Sequence, residues 1–183
     1  MTSPASLPHD WEVAPCLDLV NSTWTDHRGS GVTYDRLGDP RFRRAFLTRW
    51  QLDVDHPRSE GRWSQLAQLR GLLRKVLECY AADQPLPTTL RRRLEAEMNR
   101  APVWLEVDGQ RRVGSQWAVA IAQIATSAAR LMSERKTVKV CANPSCTWMF
   151  VDESRPGSRR WCNTFVCGSL INVRRFRAAR ARR

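Results

Sequence analysis

Four of the chain's six cysteines fall within one short stretch, CANPSCTWMFVDESRPGSRRWCNTFVCG, from Cys141 to Gly168. Four residues separate Cys141 from Cys146, four separate Cys162 from Cys167, and fifteen lie between the pairs. A four-thiolate zinc site needs this spacing, because each pair must turn tightly enough to aim two sulfurs at one ion. Asn143-Pro144 supplies such a turn in the first pair. Residues five apart on a helix point about 140° from each other, so Cys162 and Cys167 do not both lie mid-helix. Cys162 is expected to end a strand, and Cys167 to lie in the first turn of a helix capped by Asn163 or Thr164. Between the pairs, TWMFVD reads as a strand, Pro156-Gly157 as a turn and SRRW as a return strand. The sum is a small treble-clef-like zinc finger, a β-hairpin plus a helix, over residues 136–183. Four cysteines close the zinc shell, whereas catalytic zinc keeps a position open, so a structural ion and no enzyme activity are expected.

The thiol chemistry depends on the compartment. The N-terminus, MTSPASLPHDWEVAPC, shows neither a basic region nor an apolar stretch of signal-peptide type. No apolar run approaches the roughly 20 residues that cross a bilayer. The expected location is the cytoplasm, with no membrane partner, where clustered thiols stay reduced and bind metal. Cys16 and Cys79 are isolated in apolar contexts and read as small core residues. His9, His27 and His56 lie far upstream of the zinc stretch.

The preceding residues, 1–135, read as a mostly helical domain with one hairpin. Hydrophobic residues make up 42% of the 183, which is enough for a packed core. Residues 1–14 look loose, and CLDLVNSTW (16–24) has helical apolar spacing. Residues 25–40 read as a loop and 41–52 as a short helix. From Ser59 to Ala81, Leu66, Leu69, Leu73, Val76, Leu77 and Tyr80 form one stripe. A second helix spans 88–99, and a third, Ala-rich and apolar on most faces, starts near Ser115. In 103–114, Val103, Leu105 and Val107 alternate ahead of an Asp108-Gly109 turn, which reads as the hairpin.

Charge is distributed unevenly. The net charge is +12, and residues 136–183 hold eleven Lys or Arg against Asp152 and Glu153, or +9. Such clustering points to a polyanionic partner, duplex DNA first. Arginine itself says little, since 27 of the 30 basic residues are Arg throughout the chain. Candidate contacts are Arg159 and Arg160 beside the metal and Arg174, Arg175 and Arg177 on the following helix. Beyond residue 174 the arginines circle the helix, which suits general backbone attraction in the tail.

Cys141, Cys146, Phe150, Asp152, Ser154, Arg159, Arg160, Trp161, Cys162, Cys167 and Gly168 together resemble the signature of the CGNR zinc-finger proteins of bacteria. LDLVNS, Leu17 to Ser22, resembles the LDLVNT motif of the domain that usually accompanies that finger, a stress-induced transcription regulator domain. The two resemblances cover most of the chain, although residues 25–130 match only in general pattern. They imply zinc binding, DNA binding and a role in transcription. One departure stands out: the family's Cys-Gly-Asn-Arg is Cys167-Gly168-Ser169-Leu170 here. Val166, Leu170 and Val173 share a helical stripe, so Leu170 can pack.

The resulting expectation is a regulator whose N-terminal domain senses an effector or forms a homodimer. The competing expectation is a zinc-stabilised protein- or RNA-interaction module. Asp18 and Asn21 share a helix face in LDLVNS. They mark either an effector pocket or a pair of buried polar residues tying neighbouring backbone, and the second reading is favoured.

Overall fold

Two apolar helices set the frame of the computed structural model, which describes residues 14–26 and 31–181. One is α3 (Glu60–Ala81), whose Leu66, Leu69, Leu72, Leu73, Val76 and Leu77 are buried. The other is α5 (Gln116–Ser133), which buries Ala120, Ile121, Ile124, Ala125 and Ala128. Its alanines let the two helices approach closely, and Ser115 caps it by accepting from the Ala118 amide at 3.3 Å. Where they start, the Trp63 and Trp117 rings meet edge to face at 5.5 Å. Both indole N–H groups donate to the loop before α3, Trp63 to the Pro57 carbonyl at 2.8 Å and Trp117 to the Asp55 carbonyl at 2.6 Å. Truncating a leucine at the centre of this packing, such as Leu73, would cost about 2–5 kcal/mol.

Around this pair lie α1 (Pro15–Val20), α2 (Pro40–Arg49) and α4 (Thr88–Met98). Of these, α1 is almost wholly buried and packs on both α3 and α5. By contrast, α4 buries only Leu94 and lies on the surface.

The helical part holds two hairpins where one was expected. The first pairs β1 (Thr23–Thr25) with β2 (Thr33–Asp35), antiparallel, with Trp24 opposite Tyr34. This region, read as a loop from its turn formers, is held from outside. Arg70 of α3 donates to both carboxylate oxygens of Asp35, at 2.7 and 2.6 Å, and to the Ser22 hydroxyl at 2.8 Å. The second pairs β3 (Val103–Glu106) with β4 (Gly109–Arg112). Its turn is Val107-Asp108, one residue earlier than expected. Gly109, at φ 151°, opens β4 opposite Glu106. The alternating apolar residues do not face a core: Val103, Leu105 and Val107 are all exposed. The hairpin is instead anchored by Arg112, which donates to the Ala101 carbonyl and to Thr126 Oγ1, both at 2.7 Å.

A third hairpin, β5 (Val138–Val140) with β6 (Met149–Val151), carries the cysteine region. It also differs from expectation, because the strand after residue 148 pairs backwards across the first cysteine pair. Residues 152–161 form no strand. Asp152 curls them instead, accepting from the Ser154 amide at 3.0 Å, the Ser154 hydroxyl at 2.6 Å and the Arg159 amide at 3.0 Å. The Pro156-Gly157 turn appears as read, with Gly157 at φ 59°, and β6 lies within the expected TWMFVD strand.

The hydrophobic core runs through α1, α3 and α5 into this hairpin, where Val138, Met149 and Val151 belong to the same buried cluster. Among the described residues, no helix is long and apolar enough to cross a membrane. His9, His27, Arg182 and Arg183 lie outside the described residues.

Candidate metal centre and nucleic-acid interface

The hairpin ends in a tight knuckle. The Cys141 amide donates to the Trp148 carbonyl at 2.9 Å, the Cys146 amide to the Asn143 carbonyl at 2.8 Å, and the Ser145 amide to Asn143 Oδ1 at 3.1 Å. The second cysteine pair enters a helix. Asn163 Oδ1 accepts from the Val166 amide at 3.0 Å, and the Cys167 amide donates to the Asn163 carbonyl at 2.9 Å. Of the two expected caps, Asn163 is the one used. Residues Thr164–Gly168 form one π-helical turn that continues into α6 (Ser169–Arg180). Gly168 is required by space: a Cβ there would lie 3.0 Å from Trp161 Cδ1.

These elements bring Cys141, Cys146, Cys162 and Cys167 together, with their four sulfurs all within 4.8 Å of one another. Cys146 and Cys167 each lie 3.7 Å from the sulfur of Cys162. A tetrahedral zinc with Zn–S bonds of about 2.3 Å needs sulfurs about 3.8 Å apart, so the donor set fits the ion. The Cys141 thiol is lowered to about 7, first because Cys146 and then Cys162 donate to it. Cys146 and Cys162 are pushed far up, each chiefly through its hydrogen bond with Cys141. One thiolate is therefore favourable and further ionisation is opposed, unless a cation offsets the charge. All four cysteines are buried, so the shell is closed and the zinc is structural.

Around the sulfurs, the residues of the signature hold the chain in place. Asn143, itself fully buried, donates from Nδ2 to Cys167 Sγ at 3.6 Å. Arg159 lies over the Phe150 ring, 4.6 Å from its centroid, and donates to the carbonyls of Trp161 (2.9 Å) and Cys162. Lys139 donates to Asp152 at 2.6 Å and to the Gly157 carbonyl. The hydrogen bond from Lys139, and then those from Ser154, hold the Asp152 carboxyl far below its ordinary range. Phe150, Asp152, Ser154 and Arg159 thus latch the loop that delivers Cys162. Arg159, one of the expected phosphate contacts, has its guanidinium engaged with these carbonyls.

The remaining basic candidates face outward. Arg160 is exposed beside Trp161, 5.3 Å from the ring centroid. Arg174, Arg175 and Arg177 are exposed on α6, a helix that buries no residue. Leu170, where the family carries arginine, is half-buried, while Val173 is exposed.

Asp18 and Asn21, the residues weighed as an effector pocket, are 3% and 1% exposed and hydrogen-bonded to protein groups, with Asp18 Oδ1 left without a partner among the described residues. Asp18 accepts from Trp50 Nε1 at 2.7 Å. Asn21 donates to the Met149 carbonyl and accepts from the Met149 amide, each at 2.8 Å. The motif is therefore the seat of strand β6. Trp148 adds a second tie, its indole donating to the Thr23 carbonyl at 3.1 Å. No local pattern in the sequence signals a contact across 128 positions. Of the two lone cysteines, Cys16 is fully buried, which pushes its thiol up to about 12, whereas Cys79 is only half-buried.

Residues 13–135 match the family described as "Putative stress-induced transcription regulator", ABATE. The chain belongs to the ABATE family. Residues 137–181 match the CGNR zinc finger, whose cysteine cluster is the centre described above. No curated protein matches the chain. In this ABATE protein the two matched segments share one core, and LDLVNS supplies the polar seam between them.

Proposed function

We propose that this ABATE protein is a cytoplasmic bacterial transcription regulator that binds duplex DNA through its zinc module and catalyses no reaction. The observation that carries this reading is α6. It starts at the zinc centre, buries no residue and bears Arg174, Arg175, Arg177 and Arg180 with no acidic residue along its length. A helix displayed in this way can lie in a groove, with its arginines and Arg160 on phosphates. The helical part serves the homodimer or the response to an effector. A closed four-thiolate shell leaves zinc no open position for substrate.

A second reading has its own support. Phe165 and Phe176 are 87% and 62% exposed on the same segment, as a protein partner's contact would be. Selection from a random duplex library by the zinc-loaded protein separates the two. An enriched consensus supports the regulator, and a palindrome with fixed half-site spacing also indicates a dimer. Contact with about six phosphates gives a log–log salt slope near −5. Weak binding without preference would favour the protein-partner reading.

A further inference from the structure

The surface between α2 and the start of α3 holds a cavity of about 580 Å³, on the scale of a small-molecule site. Its apolar lining comes from Pro40, Leu47, Pro57 and Trp63. Its charged lining is unequal. Arg43 and Glu60 neutralise each other through two bonds, 2.5 and 2.7 Å, with the Arg43 guanidinium also 5.0 Å from the Trp63 ring centroid. Arg44 and Arg58 also line the cavity and are exposed, and their guanidinium groups make no hydrogen bond or ion pair among the described residues. The site therefore offers two unneutralised guanidinium groups above an apolar wall. In addition, Ser59 makes no side-chain cap to the first turn of α3, where Glu60 borders the same cavity.

The geometry points to a binding site in the helical part for a small amphipathic anion. Its carboxylate, sulfonate or phosphate would meet Arg44 and Arg58, and its aromatic or aliphatic body would lie against Leu47 and the two prolines. The class follows from complementarity: a neutral apolar molecule leaves both arginines without an acceptor, and an inorganic anion leaves the apolar wall wet. Neither Asp18 nor Asn21 lines this site, and it stands independently of the DNA reading because none of its tests involves nucleic acid.

The test uses the full-length zinc-loaded protein and the fluorescent aromatic sulfonate 8-anilinonaphthalene-1-sulfonate. Saturable binding of one probe per chain is expected, displaced by octanoate but not by octanol. The double variant Arg44→Gln with Arg58→Gln should weaken the probe at least about tenfold, since both charged partners of the sulfonate are removed. Leu47→Trp, which fills the apolar half and leaves the charges, should abolish binding. Phe176→Ser, on a separate exposed apolar surface, should leave it unchanged. Equal affinity in the double variant, displacement by octanol as readily as by octanoate, or loss of binding in Phe176→Ser would each overturn the site.

Discussion

Asn21 shows how much one polar side chain can hold. Its amide completes the hydrogen bonds of both the carbonyl and the N–H of Met149, a residue with no exposed surface. Replacing it with alanine leaves two buried backbone groups without partners, at roughly 1–3 kcal/mol each. Urea unfolding of Asn21→Ala should show stability lower by about 2–4 kcal/mol, and a loss under half a kcal/mol would refute this role. Asn21→Asp should do no better, because a carboxylate accepts from the Met149 amide but cannot donate to its carbonyl. At the metal, Cys162→Ser removes a sulfur placed 3.7 Å from two others. The zinc content of that variant should fall, and full retention would sink the four-cysteine assignment.

At the scale of elements, legibility followed the locality of the causes. The helices on either side of the core were readable because apolar spacing is a property of ten or twenty neighbours, as in Leu66 to Leu77. The knuckle and the Asn163 cap were readable for the same reason. The β1–β2 hairpin was not, since Arg70, 35 positions away, holds Asp35 in place. The expected return strand failed because a single carboxylate collects the loop. This gives Asp152 a pH signature. Its folded pKa lies below the unfolded value of about 3.9, so its contribution is fully present above that value. It is lost as pH falls through the folded value. The stability difference between the protein and Asp152→Asn should therefore stay constant from neutral pH down to about 5 and shrink below about 4. A difference that grew on acidification would contradict the latch.

For the molecule as a whole, the issue is whether the zinc module and the ABATE segment unfold together. Small zinc modules draw about 10–16 kcal/mol of folding free energy from the ion. In an independent module, removing the metal would unfold residues 138–176 and leave the helices untouched. Here Val138, Met149 and Val151 are 3%, 0% and 4% exposed within the helical core, and Asn21 and Trp148 bridge the seam. Release of the hairpin exposes three apolar side chains worth roughly 1.5–3 kcal/mol each, along with their partners on α1 and α3. A domain's total stability is only about 5–15 kcal/mol, so the helices lose a large share of theirs. One kcal/mol shifts the midpoint of a domain this size by about 2–4 °C. Chelation should therefore lower the helical melting temperature, followed by circular dichroism at 222 nm, by at least about 10 °C in one transition, and zinc should restore it. An unchanged helical melt beside a lost zinc module would mean that the shared core contributes nothing to coupling. Coupled unfolding would instead make the ABATE helices and the displayed α6 one thermodynamic unit, through which occupancy of one can be felt by the other.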